Sequence, residues 1–148
     1  HDIAYMNGPV KNHHIVSAKI TKGLLYKFKL KHMEERIIEA ILFHVGNINK
    51  PVKLTTKPHL ESKILRDADD LDAIGSIGLI RMILFSQNQN IPYFITKKDK
   101  LDESFYGNIK FLLDWNKKML TKEGKKFALK RMAVMKDFIY CLEKESIK

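Results

Sequence analysis

Apolar residues recur along most of this chain at spacings of three and four positions, which is the period of an amphipathic α helix. The clearest case is the segment EERIIEAILFHV at 34–45, where acidic residues open the helix and suit its dipole. Its apolar stripe consists of Ile37, Ile38, Ile41, Leu42 and Val45. Comparable stripes predict helices over 13–28, 59–75 and 103–120. A last helix is predicted after Thr121, which is a candidate N-cap. The segment 76–85 either continues the third helix or begins another after Gly75.

Polar loops separate these helices, and no alternating strand pattern of useful length is present. NINKPVKLTTKP at 47–58 and QNQNIPYFITKKD at 87–99 are the longest, and Asp102 is a candidate N-cap after the second. The sequence therefore predicts an all-α fold, and a length of 148 residues favours a single domain. No apolar run approaches the roughly 18–20 residues that cross a bilayer, and no signal peptide is visible. With its single cysteine, Cys141, the chain is expected to be cytoplasmic and to have no membrane partner.

The net charge is +10, because the chain has 27 Lys and Arg and 17 Asp and Glu. This charge limits the classes of binding partner to be expected. Such a balance favours anions such as nucleotides, phosphorylated metabolites and nucleic acid. The alternative is a lysine-rich surface that serves solubility. The lysines are scattered and form no basic block interleaved with aromatic residues, so a dedicated nucleic-acid reader is not indicated.

Histidines and aspartates fall on the apolar faces of the predicted helices. His44 follows Ile37 and Ile41 at helical spacing, and His14 shares a face with Ala18. Between 67 and 72 the chain places four aspartates among apolar residues: Asp67, Asp69, Asp70 and Asp72. A single inward histidine is usually a hydrogen-bonded core residue, but several such groups in one helical chain favour a divalent metal. Imidazole and carboxylate are the ligands that such metals take, and a cation would offset the cost of burying the carboxylates.

The order of these residues resembles the HD-domain superfamily of metal-dependent phosphohydrolases. The chain shows an adjacent His1-Asp2 pair and then the segment ADDLD, which contains Asp69. DADDLDAIGSIGLIR, followed by the segment 108–145, resembles a branch of small nucleotide hydrolases and predicted hydrolases. The likeness covers nearly the whole chain. It implies an HD-domain helical bundle with the metal site between its central helices.

The resemblance implies that His1, Asp2 and Asp69 are metal ligands. His14 and His44 fall where two-metal members place further histidine ligands, so one or two ions per chain are expected. Mn, Fe, Co, Ni, Mg and Zn are the candidates. The family's first histidine should lie upstream, so we expect residues 1–148 to be one HD domain without its N-terminal helix. His13 remains the alternative to His14, which stands three residues before Ser17 as in the family pattern.

Further roles follow from the same resemblance. His14 and His44 are candidates for binding phosphate or moving a proton, and Asp67 for orienting a ligand histidine, so all three are predicted catalytic residues. Lys11 and Asn12 in the loop after the His-Asp pair, and Lys53 in the long loop after His44, are predicted to bind substrate. Lysines beside a metal site favour polyanions.

The implied function is divalent-metal-dependent hydrolysis of a phosphoester or phosphoanhydride, with a nucleotide as the expected substrate. One alternative is a phosphodiesterase or nuclease acting on nucleic acid. Another is a non-catalytic HD module that binds a nucleotide or a protein partner. The apolar residues in IPYFI at 91–95 could serve a homodimer contact as well as packing within the chain.

Overall fold

A computed structural model describes residues 1–8, 10–45, 57–94 and 104–146 of the chain. All regular structure in these ranges is helical, which confirms the predicted all-α class. The α helices are α1 (His13–Lys27), α2 (Glu34–Phe43), α3 (Leu60–Asp72), α4 (Gly75–Asn88), α5 (Phe105–Leu112) and α6 (Lys122–Ser146). Short 3-10 helices lie at Ile3–Asn7, Lys31–Met33 and Trp115–Lys118. No helix among the described residues combines the length and apolar character of a membrane span.

The first of two compact units comprises His1–Arg66. In this unit α1 packs against α2 and against the 3-10 helix Ile3–Asn7. The backbone N–H of Ala4 donates to Ser17 Oγ at 3.1 Å, and both residues are buried. Asn12 takes a left-handed conformation (φ 57°) directly before α1. These features hold the His1-Asp2 pair beside the first turn of α1.

A buried carboxylate on α2 holds the start of α3 within this unit. Glu39 is 8% exposed, and it accepts hydrogen bonds from the His59 backbone N–H (2.8 Å) and Ser62 Oγ (2.7 Å). Its other oxygen lies 2.6 Å from His59 Nδ1. Burial alone would raise the pKa of Glu39, but the hydrogen bonds from Ser62 and His59 outweigh it and lower the pKa below 4.5.

The second unit comprises Asp67–Lys148, and its α4 and α5 pack against α6. Its core is apolar, and Ile74, Ile109 and Met135 are fully buried. Gly75 is the first residue of α4 and has a φ of +77°, a conformation that favours glycine. A Cβ at this position would lie 2.9 Å from Arg131 Cβ on α6, so glycine also allows the close approach of these helices.

The helix boundaries refine the predicted ones. Thr121 is confirmed as the cap of the last helix, since its Oγ1 accepts from the Gly124 N–H at 2.9 Å. The single helix predicted over 103–120 is wrong, because α5 ends at Leu112 and a 3-10 turn follows. Ser104 caps α5 by accepting from the Gly107 N–H, whereas the predicted cap Asp102 lies outside the described residues.

Candidate metal centre

Three side chains of the first unit bring ligand atoms together, and we call them the Asp2–His13–His44 cluster. Asp2 Oδ1 lies 3.5 Å from His13 Nε2 and 3.4 Å from His44 Nε2. The two Nε2 atoms lie 3.1 Å apart. Asp2 belongs to the N-terminal segment, His13 is the first residue of α1, and His44 directly follows α2. Separate elements thus meet at one point, which supports a built site rather than a chance neighbourhood along one helix.

The two rings in the cluster are held differently, and His44 is the more firmly held. Its side chain is only 2% exposed, and Nδ1 lies 2.5 Å from the Ile41 carbonyl oxygen. A carbonyl oxygen can only accept, so the proton of the neutral ring resides on Nδ1. The unprotonated Nε2 therefore faces Asp2 and His13, which is the orientation of a metal ligand.

The Asp2 carboxylate gives the strongest indication that a cation fits here. Its Oδ1 is buried, although the whole side chain is 43% exposed, and it has no hydrogen-bond partner among the described residues. A carboxylate oxygen that is desolvated and left without a donor is costly. A divalent cation would satisfy that oxygen and the His44 lone pair together. One carboxylate oxygen and two imidazole nitrogens, all within 4.8 Å of one another, are a suitable donor set for such a metal.

His1 lies beside this cluster. Its Nε2 is 3.3 Å from Asp2 Oδ2, and its ring packs edge-on against His44 with the centroids 4.6 Å apart. The first unit thus brings together His1, Asp2 and His44, all three predicted as ligands. Their roles as ligands stay predictions.

Of the two adjacent histidines at the start of α1, the one that enters the cluster is not the one that the sequence favoured. His13, the alternative, enters the cluster, whereas His14 is buried next to it and its Nδ1 has no hydrogen-bond partner among the described residues. Burial, and then the neighbouring His13, lowers the pKa of His14 below 6.5. The lowered pKa favours the neutral form of the His14 ring. The prediction that His14 faces inward is confirmed, but in this structure His13 supplies the nitrogen that meets Asp2.

The predicted aspartates of the second unit lie on α3. Asp69 is half-buried, and its role as a ligand stays a prediction. Asp67 is 3% exposed, as its place on the apolar stripe indicated, but its contacts are structural. It accepts from Leu120 N (2.8 Å), Thr121 N (2.8 Å) and Thr121 Oγ1 (2.6 Å), so both oxygens are used at the start of α6. These contacts differ from the predicted one to a ligand histidine.

The predicted substrate-binding residues are only partly described. Lys11 and Asn12 are exposed on the turn that leads into α1 and immediately precede His13. Lys53 lies outside the described residues. Lys11 and Asn12 are therefore accessible at the edge of the cluster, which is what contact with a phosphate would require.

Sequence reasoning missed Tyr5, which contacts the cluster from the side. Its hydroxyl lies 2.9 Å from His13 Nδ1, and its ring stacks on the imidazole with the centroids 4.8 Å apart. The only sequence signal was the position of Tyr5 three residues after Asp2, which becomes one turn once the segment folds as a 3-10 helix. Nothing in the composition of that segment distinguishes Tyr5 from an ordinary surface tyrosine.

The chain resembles a known family in sequence and several known proteins in structure. Residues 1–74 match the family HD domain. Bacillus subtilis YpgQ matches with a TM-score of 0.72 and 25% identity over 88% of this chain, and its complex with ADP with a TM-score of 0.69 and 26% identity. An HD-superfamily hydrolase from Bacillus thuringiensis matches at 0.67 and 23% identity over 98% of this chain and 68% of its own length. No curated protein matches the chain.

The chain spans 64% of the length of the YpgQ structures that it matches. The likeness to the Bacillus thuringiensis hydrolase, at 23% identity, concerns the fold alone. The family match runs over the whole first unit and on through α3. It thus includes every described side chain of the candidate centre.

Proposed function

The chain belongs to the HD-domain family, and from this we propose that it is a divalent-metal-dependent phosphohydrolase acting on a nucleotide or a related phosphoester or phosphoanhydride. The observation that carries the proposal is the buried Oδ1 of Asp2, which faces His44 Nε2 and has no hydrogen-bond partner in the part of the chain that the structure describes. When bound, a divalent cation supplies an activated water and polarises a phosphoryl oxygen. The family match over residues 1–74 supports the reaction class.

Each residue at the centre then has a definite task. Asp2 and His44 hold the cation, with His13 as a third ligand from the first unit. His1 and Asp69 carry the ligand roles that the family resemblance implies. One or two ions per chain are proposed.

The residues around the cluster bind the substrate and transfer protons during the reaction. Lys11 and Asn12 offer exposed donors to a phosphate next to the centre. The lowered pKa of His14 favours its neutral form. Its Nδ1 has no hydrogen-bond partner among the described residues, so it can give or take a hydrogen bond without first losing another partner. The net charge of +10 raises the local concentration of nucleotides and other phosphorylated anions.

A nucleotide is the favoured substrate class because YpgQ has been crystallised with ADP. The test is release of phosphate or pyrophosphate from a panel of nucleoside mono-, di- and triphosphates, with Mn²⁺, Co²⁺, Ni²⁺, Fe²⁺, Mg²⁺ or Zn²⁺ added in turn. Asp2→Asn should lower the rate at least about a hundredfold, since even residues behind the ligands cost ~10–100-fold. Asp114→Asn changes an exposed aspartate of the second unit and should leave the rate unchanged. Equal loss in both variants, or a rate independent of Asp2, would contradict the assignment.

The runner-up is a phosphodiesterase or nuclease, which the charge of +10 favours. The same assay includes single-stranded DNA and RNA at low and moderate salt. Hydrolysis of these polymers in preference to nucleotides, with affinity falling steeply as salt rises, would identify this function. Binding of ADP without hydrolysis in any metal would instead identify a non-catalytic nucleotide-binding module.

A further inference from the structure

We propose that Tyr5 is a positioning residue for the metal centre and that its hydroxyl lets His13 change tautomer when a cation binds. This inference rests on the proposed metal site. It is carried by the contact of 2.9 Å between Tyr5 Oη and His13 Nδ1 and by the stacking of the two rings. Tyr5 is 43% exposed, so burial alone does not explain its orientation toward the cluster.

The tautomer of His44 determines that of His13 in the metal-free protein. The Ile41 carbonyl keeps the His44 proton on Nδ1, so His44 Nε2 carries a lone pair. His13 Nε2 lies 3.1 Å from His44 Nε2 and 3.5 Å from Asp2 Oδ1. Two lone pairs at this distance repel each other, so a neutral His13 must carry its proton on Nε2 and donate. Its Nδ1 is then an acceptor, and the Tyr5 hydroxyl donates to it.

A bound cation reverses this arrangement. Coordination requires the lone pair of His13 Nε2, so the single proton of the neutral ring must reside on Nδ1 instead. The proton lost from Nε2 is balanced by the one gained at Nδ1 through exchange with solvent, and the ring stays neutral. Tyr5 Oη must then accept where it had donated.

A hydroxyl is suited to both states, because it has one proton to donate and two lone pairs to accept with. A backbone carbonyl, as at His44, can support only the metal-binding tautomer. The two histidines are thus prepared differently: His44 is held ready for the metal, and His13 is held in place while its tautomer remains free to change. Tyr5 lowers the cost of bringing His13 to the cation without fixing it in the metal-bound state.

The test compares Tyr5→Phe, which keeps the stacking ring and removes the hydroxyl, with Tyr26→Phe. Tyr26 lies on α1 and is 80% exposed, so it provides the same chemical change without the contact. Zn²⁺ and Co²⁺ affinities are measured by calorimetry on the whole chain. We expect Tyr5→Phe to weaken binding by about tenfold, the lower end of the ~10–100-fold effect of residues behind metal ligands, and Tyr26→Phe to have no effect.

The second measurement is NMR of the histidine rings, and its main result comes from the wild-type chain. Long-range ¹H–¹⁵N spectra of the imidazoles report which nitrogen of His13 is protonated. His13→Gln identifies its signals. We expect the proton on Nε2 without metal and on Nδ1 with Zn²⁺. In metal-free Tyr5→Phe, the signal of His13 Nδ1 should change because its donor is gone.

The outcomes separate this inference from the proposed function. If the wild-type chain binds metal and Tyr5→Phe binds it equally well, Tyr5 is not a positioning residue and the metal site stands. A proton on Nδ1 in the metal-free wild type would also overturn the inference, because Tyr5 would then not donate. If the wild-type chain binds no metal at all, the proposed function fails, and the inference fails with it.

Discussion

His13 and His14 are adjacent in the sequence but have different surroundings in the structure. The helical spacing correctly indicated that His14 shares a buried face with Ser17 and Ala18. A metal ligand, however, need not lie on the most buried stripe of a helix. His13 lies at the edge of that stripe, where its Nε2 reaches Asp2. The spacing of residues reports burial, whereas ligation depends on side-chain reach and on the turn at Asn12, which sequence reasoning did not specify.

At the same scale, Glu39 provides a pH-dependent contribution to stability. Its pKa is lowered on folding, so this contribution is complete above pH 4.5 and is lost as the pH falls through the lowered value. We expect Glu39→Gln to lower the free energy of unfolding by about 1–3 kcal/mol at neutral pH, because buried donors lose a charged acceptor. Urea unfolding at a series of pH values measures this. The difference from wild type should shrink below pH 4.5.

Glu35→Gln is the matched control, since Glu35 is an exposed residue of the same helix. It should leave the free energy of unfolding within about 0.5 kcal/mol of wild type. A Glu39→Gln difference that persists unchanged into acid would show that packing, and not the charge of Glu39, supplies the stability.

At the scale of elements, the start of α6 depends on one side chain of α3. The Asp67 carboxylate binds two backbone N–H groups and a hydroxyl in front of that helix, while Thr121 caps it. A Cβ on Gly124 would collide with Asp67 Oδ2, so glycine leaves room for this carboxylate. Asp67 therefore connects α3 to α6 within the second unit, and the aspartate-rich helix has a structural as well as a chemical use.

Asp67→Asn should accordingly destabilise the chain by about 2–4 kcal/mol, because an amide nitrogen cannot accept from the donors of Thr121. Denaturant unfolding measures the loss, and metal affinity should stay unchanged. Asp137→Asn, at an exposed position of α6, is the control and should have little effect on either quantity. If Asp67→Asn instead weakens metal binding and leaves stability intact, Asp67 orients a ligand as the sequence suggested.

The sequence predicted the helices better than it predicted their ends. Apolar periodicity identified α1, α2 and α6, and it anticipated the cap at Thr121, because these depend on local spacing and on a short polar side chain. The break after Leu112 was missed, since the apolar pattern continues through Trp115 while the backbone changes to a 3-10 turn. The apolar pattern does not distinguish a continued helix from a new one at Gly75, because the start of α4 depends on the positive φ of Gly75 and on its approach to Arg131.

At the scale of the whole molecule, the fold class and the family follow from motifs that occupy most of the chain. The His-Asp pair and the aspartate-rich helix indicate the HD family from the sequence alone, and the match over residues 1–74 agrees. The Tyr5 contact could not be predicted in this way. It joins residues from separate elements, and it depends on which of His13 and His14 the first turn of α1 directs toward Asp2. The net charge of +10 constrains the partners of the whole molecule but not the chemistry of its centre.

The most direct test of the central claim is the metal content of the purified chain, measured by elemental analysis after incubation with Mn²⁺, Fe²⁺, Co²⁺, Ni²⁺ or Zn²⁺ and removal of the excess. We expect about one or two equivalents per chain and a raised melting temperature, since a ligand of the native state stabilises it. Asp2→Asn should lose the metal and Asp114→Asn should keep it. A wild-type chain that takes up none of these metals, and whose melting temperature does not rise with any of them, would contradict the account.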